Sequence, residues 1–266
     1  MSFERAQWKG CLVLLLAGGL SCGVFQGCSA SKARVATMKE QGQQLSAAES
    51  EQAGLVQKGK LLFDETPKFA APYVGNQLAC GDCHLNSGKA DYAAPLTDVA
   101  GLFPLFSQRA GRNITLQDRI EECFVRSEAG KPLPATSEEM RGLVAYIQSL
   151  STTEHGKKAY PGRGLVKLPL LHGDASRGRM IYFRAQCASC HGHHGAGVPP
   201  VLPPLWGHGS YNDGAGLGEP AKLAAYVFHN MPQNHPETLT AQEAFDVASY
   251  IDLQPRPHLN PAYKSF

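Results

Sequence analysis

Apolar residues recur at spacings of three and four in four separated stretches of the chain, and the stretches fall into two pairs. Gln57-Lys-Gly-Lys-Leu-Leu-Phe63 and Ser176-Arg-Gly-Arg-Met-Ile-Tyr-Phe183 form the first pair. Glu139-Met-Arg-Gly-Leu-Val-Ala-Tyr-Ile-Gln-Ser-Leu150 and Glu243-Ala-Phe-Asp-Val-Ala-Ser-Tyr-Ile-Asp-Leu253 form the second. Such spacing lays one apolar stripe along a helix and predicts that each helix buries one face. Each half of the chain therefore opens and closes with a helix of matching pattern. Ser151 to Leu170 is polar and punctuated by Gly and Pro, the signature of a linker. A repeat of this kind predicts two domains, 51–152 and 171–260, joined by a linker over 153–170. Thr115-Leu-Gln-Asp118 has the form of a capping box, which predicts one more helix from about Gln117 through Arg126.

The N-terminus has a different pattern. Arg5 and Lys9 precede an apolar run from Cys11 to about Phe25. That run is shorter than the roughly 20 residues of a membrane-spanning helix and reads as an export signal over 1–28. Val24-Phe-Gln-Gly-Cys28 resembles a bacterial lipobox, with Cys28 as the lipidated residue and Ser29 behind it favouring the outer membrane. Cys22 is a second candidate, and an ordinary cleaved signal or an uncleaved anchor are the alternatives. Residues 29–50 read as a flexible tether. The expected location is the periplasm, with membrane contact only through the lipid.

Charge is almost balanced, Lys+Arg 25 against Asp+Glu 23 in 266 residues, so neither a nucleic-acid-binding tract nor an acidic arm is present. With 18 Pro, 28 Gly and few aromatics, long loops should separate short helices. A small domain of that composition buries little core by itself. Something apolar has to fill its centre.

Cysteine placement names the filler. Three of the eight cysteines (11, 22 and 28) lie in the targeting segment. Four more make Cys80-Gly-Asp-Cys83-His84 and Cys187-Ala-Ser-Cys190-His191. In CxxCH the two thiols add to the haem vinyl groups, and the adjacent His turns its imidazole onto the iron. A lone CxxC could be a zinc half-site or a redox pair. Two copies, each followed at once by His in an exported repeat chain, point to two covalently attached haem c groups. The order of helix, attachment motif, long loop, distal ligand and closing helix is that of a class I cytochrome c domain. The expected fold is all-α, loop-rich, with two such domains in tandem. His193 and His194 have no partner at ligand spacing and read as surface residues.

Counting finds the distal ligands. Met231, in Phe228-His-Asn-Met231-Pro232, lies 40 residues after His191. A thioether there suits a high-potential electron-transfer haem. A core Met is the alternative use, and His229 and His208 are the competing ligands. The same count from His84 reaches, after 39 residues, the eighth cysteine, Cys123. No Met stands nearby, so a His84/Cys123 iron of low potential is expected beside a His191/Met231 iron of higher potential. An unligated buried Cys123 is the alternative. On the predicted helix Arg119, Arg126 and Ser127 share neighbouring faces with Cys123, and Arg109 and Arg112 lie just upstream. Guanidinium groups around a thiolate suit a small oxyanion substrate. The competing uses are an Arg126–Glu122 pair and an Arg119 contact to a haem propionate.

Cys80-Gly-Asp-Cys-His-Leu, the Phe103-Pro turn, Arg119-Ile-Glu-Glu-Cys123-Phe-Val-Arg126-Ser127, Gly130-Lys-Pro-Leu-Pro134, Ser137-x-Glu-Met140 and Ala145-Tyr-Ile-Gln-Ser-Leu-Ser151 resemble the dihaem thiosulfate dehydrogenases, the TsdA family. The resemblance implies that two thiosulfate anions are joined into tetrathionate with release of two electrons, or the reverse as a tetrathionate reductase. It implies that His84 and Cys123 hold the active-site haem, that Arg109, Arg119 and Ser127 line the anion site, and that His191 and Met231 hold the exit haem. The expected partner is a soluble acceptor such as a small cytochrome c. One departure stands out: some relatives carry Lys before the distal Met, whereas this chain has Asn230, which argues against a Lys/Met exchange. A dihaem electron carrier without a substrate, and a Sox-type sulfur-transfer subunit, are the other readings.

Overall fold

The computed structural model describes residues 27–152 and 160–266. Residues 1–26 of the expected signal segment, Cys22 among them, lie outside the described residues, as do 153–159 of the linker. Among the described residues no helix is long and apolar enough to cross a membrane.

Helix α1 runs from Gly27 to Asp64. Its first part corrects the expectation of a flexible tether over 29–50. That stretch lacks Pro and is rich in Ala, Gln, Glu, Lys and Ser, so chain propensity carries the helix although 37–50 is exposed throughout. From Val56 onward α1 meets the first core. The short helix α2 (Thr66–Phe69) precedes α3 (Cys80–Cys83), the first attachment motif, and the turn α4 (Leu85–Gly88) follows it. Strands β1 (Leu105–Ser107) and β2 (Arg112–Ile114) form a small antiparallel hairpin, the only sheet among the described residues. Three-residue strands are too short to register in an apolar/polar pattern, so the hairpin was not expected. Next come α5 (Leu116–Arg126) and α6 (Glu138–Ser149).

The second domain repeats the order. It contains α7 (Ala175–Arg184), the second attachment motif α8 (Cys187–His191), α9 (Pro220–Asn230) and α10 (Ala241–Asp252). All five helices expected from periodicity and capping are present; four keep their expected bounds within about two residues, whereas α1 begins 30 residues before Gln57.

The same device brings the opening and closing helices together in both halves. A Cβ on Gly59 of α1 would lie 1.9 Å from the Gly142 carbonyl oxygen of α6. A Cβ on Gly178 of α7 would lie 1.9 Å from the Asp246 carbonyl oxygen of α10. Glycine is required at both crossings, because two backbones touch there. Around the crossings lie two apolar cores. Phe63, Phe124, Leu143 and Tyr146 lead the first; Tyr182, Trp206, Phe245 and Val247 lead the second. Asp246, 2 % exposed, also accepts from Arg177 Nε at 2.8 Å and from the Asp174 N–H at 2.8 Å, fixing the start of α7 to α10.

The linker is less free than its composition suggests. The Tyr92 and Ala94 N–H groups donate to the carbonyls of Gly162 and Gly164 at 2.8 and 2.9 Å. Residues 160–164 therefore brace the 92–94 segment of the first domain.

Candidate functional site

The first attachment motif is a single helical turn whose N-terminus is closed by its own Asp82, which accepts from the Ala79 N–H at 2.8 Å. Cys80 is anchored by Thr66, whose Oγ1 accepts the Cys80 N–H at 3.1 Å. His84 Nδ1 is 2.6 Å from the carbonyl oxygen of Ala94, the residue braced by the linker. With Nδ1–H donating there, Nε2 is left free to bind a metal, the usual way a protein fixes an imidazole ligand. Burial holds the imidazole below its usual pKa, against the Ala94 hydrogen bond, so it is neutral and ligand-ready. His191 repeats the arrangement, with Nδ1 2.9 Å from the Pro203 carbonyl and a pKa lowered by burial. Thiol pairs on one turn and imidazoles preset in the ligating tautomer fit a covalently attached haem in each domain.

The capping box expected for α5 is present. Thr115 Oγ1 accepts from the Asp118 N–H, and Asp118 accepts from the Thr115 N–H at 2.7 Å. α5 carries Cys123 in its last turn, near the first motif: burial is the main cause that raises the Cys80 and Cys83 thiols, and the Cys123 charge adds a smaller push on both. Burial pushes the Cys123 thiol above its ordinary range. Arg119 opposes that most, Glu128 and Glu122 reinforce it, and Arg109 opposes it further. Two of the arginines expected at an anion site therefore bear on the sulfur.

The arginines and Ser127 also have other contacts. Arg119 pairs with the buried Glu122 and is about half exposed. Arg109 sits on the loop of the hairpin, 3.6 Å from Glu219 of the second domain. Arg112 closes on Asp118 at 2.9 Å and serves the helix start. Arg126 does not pair with Glu122; it is buried and donates to the carbonyls of Gly214, Lys264 and Phe266 at 3.2, 3.1 and 2.8 Å. Ser127 caps the C-terminus of α5 and is half-buried.

In the second domain Met231 packs against the same apolar cluster as Cys187. Its rivals are otherwise placed. His208, like His193 and His194, is exposed, and His229 Nδ1 is 2.6 Å from Glu237, with its ring edge-on to Tyr92. Cys190 is exposed, whereas both cysteines of the first motif are half-buried, so the second motif reaches the surface.

Residues 67–155 match the family model "SoxA/TsdA, cytochrome c domain". Residues 173–251 match the model "Cytochrome C oxidase, cbb3-type, subunit III". A protein named thiosulfate dehydrogenase from Stutzerimonas stutzeri is 36% identical over 209 residues, covering 76% of this chain and 68% of that one. Another of that name, from Allochromatium vinosum, is 36% identical over 210 residues, covering 75% and 77%. The chain belongs to the thiosulfate dehydrogenase family. Among solved structures, the thiosulfate dehydrogenase TsdBA of Marichromatium purpuratum in its "as isolated" form superposes with a TM-score of 0.75 at 34% identity. The match covers 80% of this chain and spans about half, 48%, of that one. Family membership carries with it two cytochrome c domains and two covalently bound haem c groups.

Several residues of this family member's site were invisible in the sequence. Glu128 is buried, with Oε1 4.0 Å from Cys80 Sγ and Oε2 lacking a partner; burial and the Asp82 charge push its carboxyl well above the usual range. Tyr226 of α9 donates to the Asp82 carbonyl at 3.3 Å, and Asn230 donates to the Tyr92 carbonyl at 3.1 Å. Glu128 lies 48 positions from Cys80, and Tyr226 and Asn230 have partners more than a hundred positions away, so no local pattern announces these contacts.

Proposed function

We propose that this chain oxidises thiosulfate, joining two thiosulfate anions into tetrathionate and passing two electrons through two haems to an external acceptor. The observation that carries the reading is Cys123, a half-buried thiol near enough to the first attachment motif to act on its thiols, with Arg119 and Arg109 bearing on it. His84 and Cys123 hold the iron of the active-site haem, and His191 and Met231 hold that of the exit haem. The haems supply one-electron acceptance, one electron each. Arg109 and Arg119 lower the repulsion between two dianions brought into one pocket, and Ser127 adds a donor at the end of α5. Cys123 thiolate bonds to the outer sulfur of the first thiosulfate, giving a cysteinyl S-thiosulfonate and two electrons. The second thiosulfate attacks that outer sulfur, tetrathionate leaves, and the Cys123 thiolate is restored. Charge and atoms balance in both steps, and the reverse sequence reduces tetrathionate.

The second motif, with Ser189 and Cys190 exposed, suits delivery of electrons to a small cytochrome c or a similar redox protein. We place the reaction in the periplasm, with the chain tethered to the outer membrane through a lipid on Cys28, on the strength of the N-terminal pattern.

The test is anaerobic addition of thiosulfate to the oxidised protein, following haem absorbance and tetrathionate together. Reduction of both haems with one tetrathionate formed per two electrons is expected. Haems that stay oxidised would reduce the protein to an electron carrier.

A further inference from the structure

The helix that carries Cys123 ends with carbonyls that need partners, because the last turn of any helix has no N–H beyond it. Cys123 and Phe124 find theirs locally, in the N–H groups of Ser127 and Gly130 at 2.8 and 2.9 Å. Val125 and Arg126 do not. The Val125 carbonyl accepts from Asn212 Nδ2 at 2.8 Å, and the Arg126 carbonyl accepts from the Asn212 N–H at 3.2 Å. Asn212 belongs to the second domain, is 2 % exposed, and has its amide orientation fixed by the Gly214 N–H donating to Oδ1 at 3.0 Å. The next carbonyl, that of Ser127, accepts from Asn76 Nδ2 at 2.7 Å, and the same amide reaches Ser210 of the second domain at 3.1 Å. The Arg126 side chain reaches three carbonyls beyond residue 213.

We infer that Asn212 is a positioning residue for the thiosulfate site: the second domain caps the C-terminus of α5 and thereby sets where Cys123 and Ser127 stand. A helix end closed from another domain moves when that domain moves. The electron-exit domain is therefore not a passive attachment; removing its cap lets the last turn of α5 fray, and Cys123 lies within that turn. Asn212 itself touches neither substrate nor iron, and it acts through the helix. The inference rests on Cys123 being the iron ligand proposed above.

The experiment compares Asn212→Ala with the unaltered full-length holoprotein by electron paramagnetic resonance, thiosulfate kinetics and thermal melting. N212A is expected to broaden or split the thiolate-ligated signal of the first haem, leave the His/Met signal of the second unchanged, and lower turnover about tenfold. A lower melting temperature with both signals and turnover unchanged would overturn the inference, since Asn212 would then be glue and nothing more. Equal disturbance of both haems overturns it too. If N212A is recovered without haem, Asn212→Asp decides: its carboxyl donates to Val125 only when protonated. The first-haem signal should then be native in acid and disturbed at higher pH, and a pH-independent native signal counts against the cap. Cys123→Ala separates the two readings. If C123A leaves the first-haem spectrum unchanged, the ligand assignment has failed. If C123A alters it and the Asn212 variants do not, only the cap has failed.

Discussion

Asn230 Nδ2 donates to the carbonyl of Tyr92 at 3.1 Å and to that of Tyr226 at 3.0 Å, so the residue preceding Met231 is fastened to the first domain. Asn230 is 8 % exposed and stands immediately before Met231, the position where the sequence resemblance made a lysine notable by its absence. Here that position is occupied by an interdomain tie. Asn230→Ala leaves one buried and one part-buried carbonyl without that donor and should cost about 1–3 kcal/mol. Asn230→Lys should cost more, because an ammonium would be forced into a buried site. Thermal melting reads the loss. The methionine-type absorption of the second haem should survive N230A, and its disappearance would show that the tie also sets Met231.

The glycine crossings set a sharper expectation. Gly178→Ala places a methyl 1.9 Å from the Asp246 carbonyl oxygen, a distance no rotamer can relieve. Helices α7 and α10 would have to separate, at about 1–3 kcal/mol or more for an overpacked core. Gly59→Ala should do the same between α1 and α6. In contrast, Gly42→Ala meets nothing within 4 Å on an exposed helix and should be neutral or slightly stabilising. Denaturant midpoints of the three variants test the ranking, and equal midpoints would contradict the crossing geometry.

Acid stability of the Cys123 helix follows from its first turn. The Arg112 guanidinium, with Thr115, holds the Asp118 carboxyl down at about 2. A carboxylate depressed in the folded state contributes stability that is complete above its ordinary pKa of about 4 and is lost as pH falls toward 2. Asp118→Asn should therefore be less stable than the unaltered protein at neutral pH, with the gap closing on acidification. Thr115→Ala removes the reciprocal cap and should cost about 1 kcal/mol at neutral pH. A stability gap between D118N and the unaltered protein that stays constant with pH would refute the ionised capping box.

What could be read in the sequence was local or repeated. The capping box of Thr115 and Asp118 lies within four residues, the helix stripes within twelve, and the haem motifs within five, so each carries its own signal. Met231 and Cys123 stand out as ligand candidates because the two halves keep the same spacing. What stayed hidden was long-range. Asn76, Asn212 and Asn230 are ordinary polar residues until folding brings carbonyls from the other domain to them, 134 positions away in the case of Asn76 and Ser210. Arg126 keeps its place near Cys123, whose charge still acts on it, but its guanidinium is engaged by three distant carbonyls that no local spacing announces. The helix over 29–50 was missed because polarity was taken as disorder where propensity favoured helix.

Substitution of Cys123 is the most direct check on the catalytic proposal. Cys123→Met keeps a sulfur ligand within reach of the iron but removes both negative charge and nucleophile. Methionine and histidine together raise the potential of a haem. C123M should therefore hold both haems, show a higher-potential first haem, and form no tetrathionate. Cys123→Ala should also retain both haems, since attachment depends on Cys80, Cys83, Cys187 and Cys190, and it too should be inactive. Arg119→Ala provides the contrast. It removes a charge that opposes the burial of the Cys123 thiolate, so the thiol should become harder to ionise and thiosulfate should bind more weakly. KM should rise, with residual turnover at high substrate. Spectroelectrochemistry and a tetrathionate assay on the three variants distinguish the roles. Full turnover in C123M would exclude Cys123 as the group that bonds to sulfur.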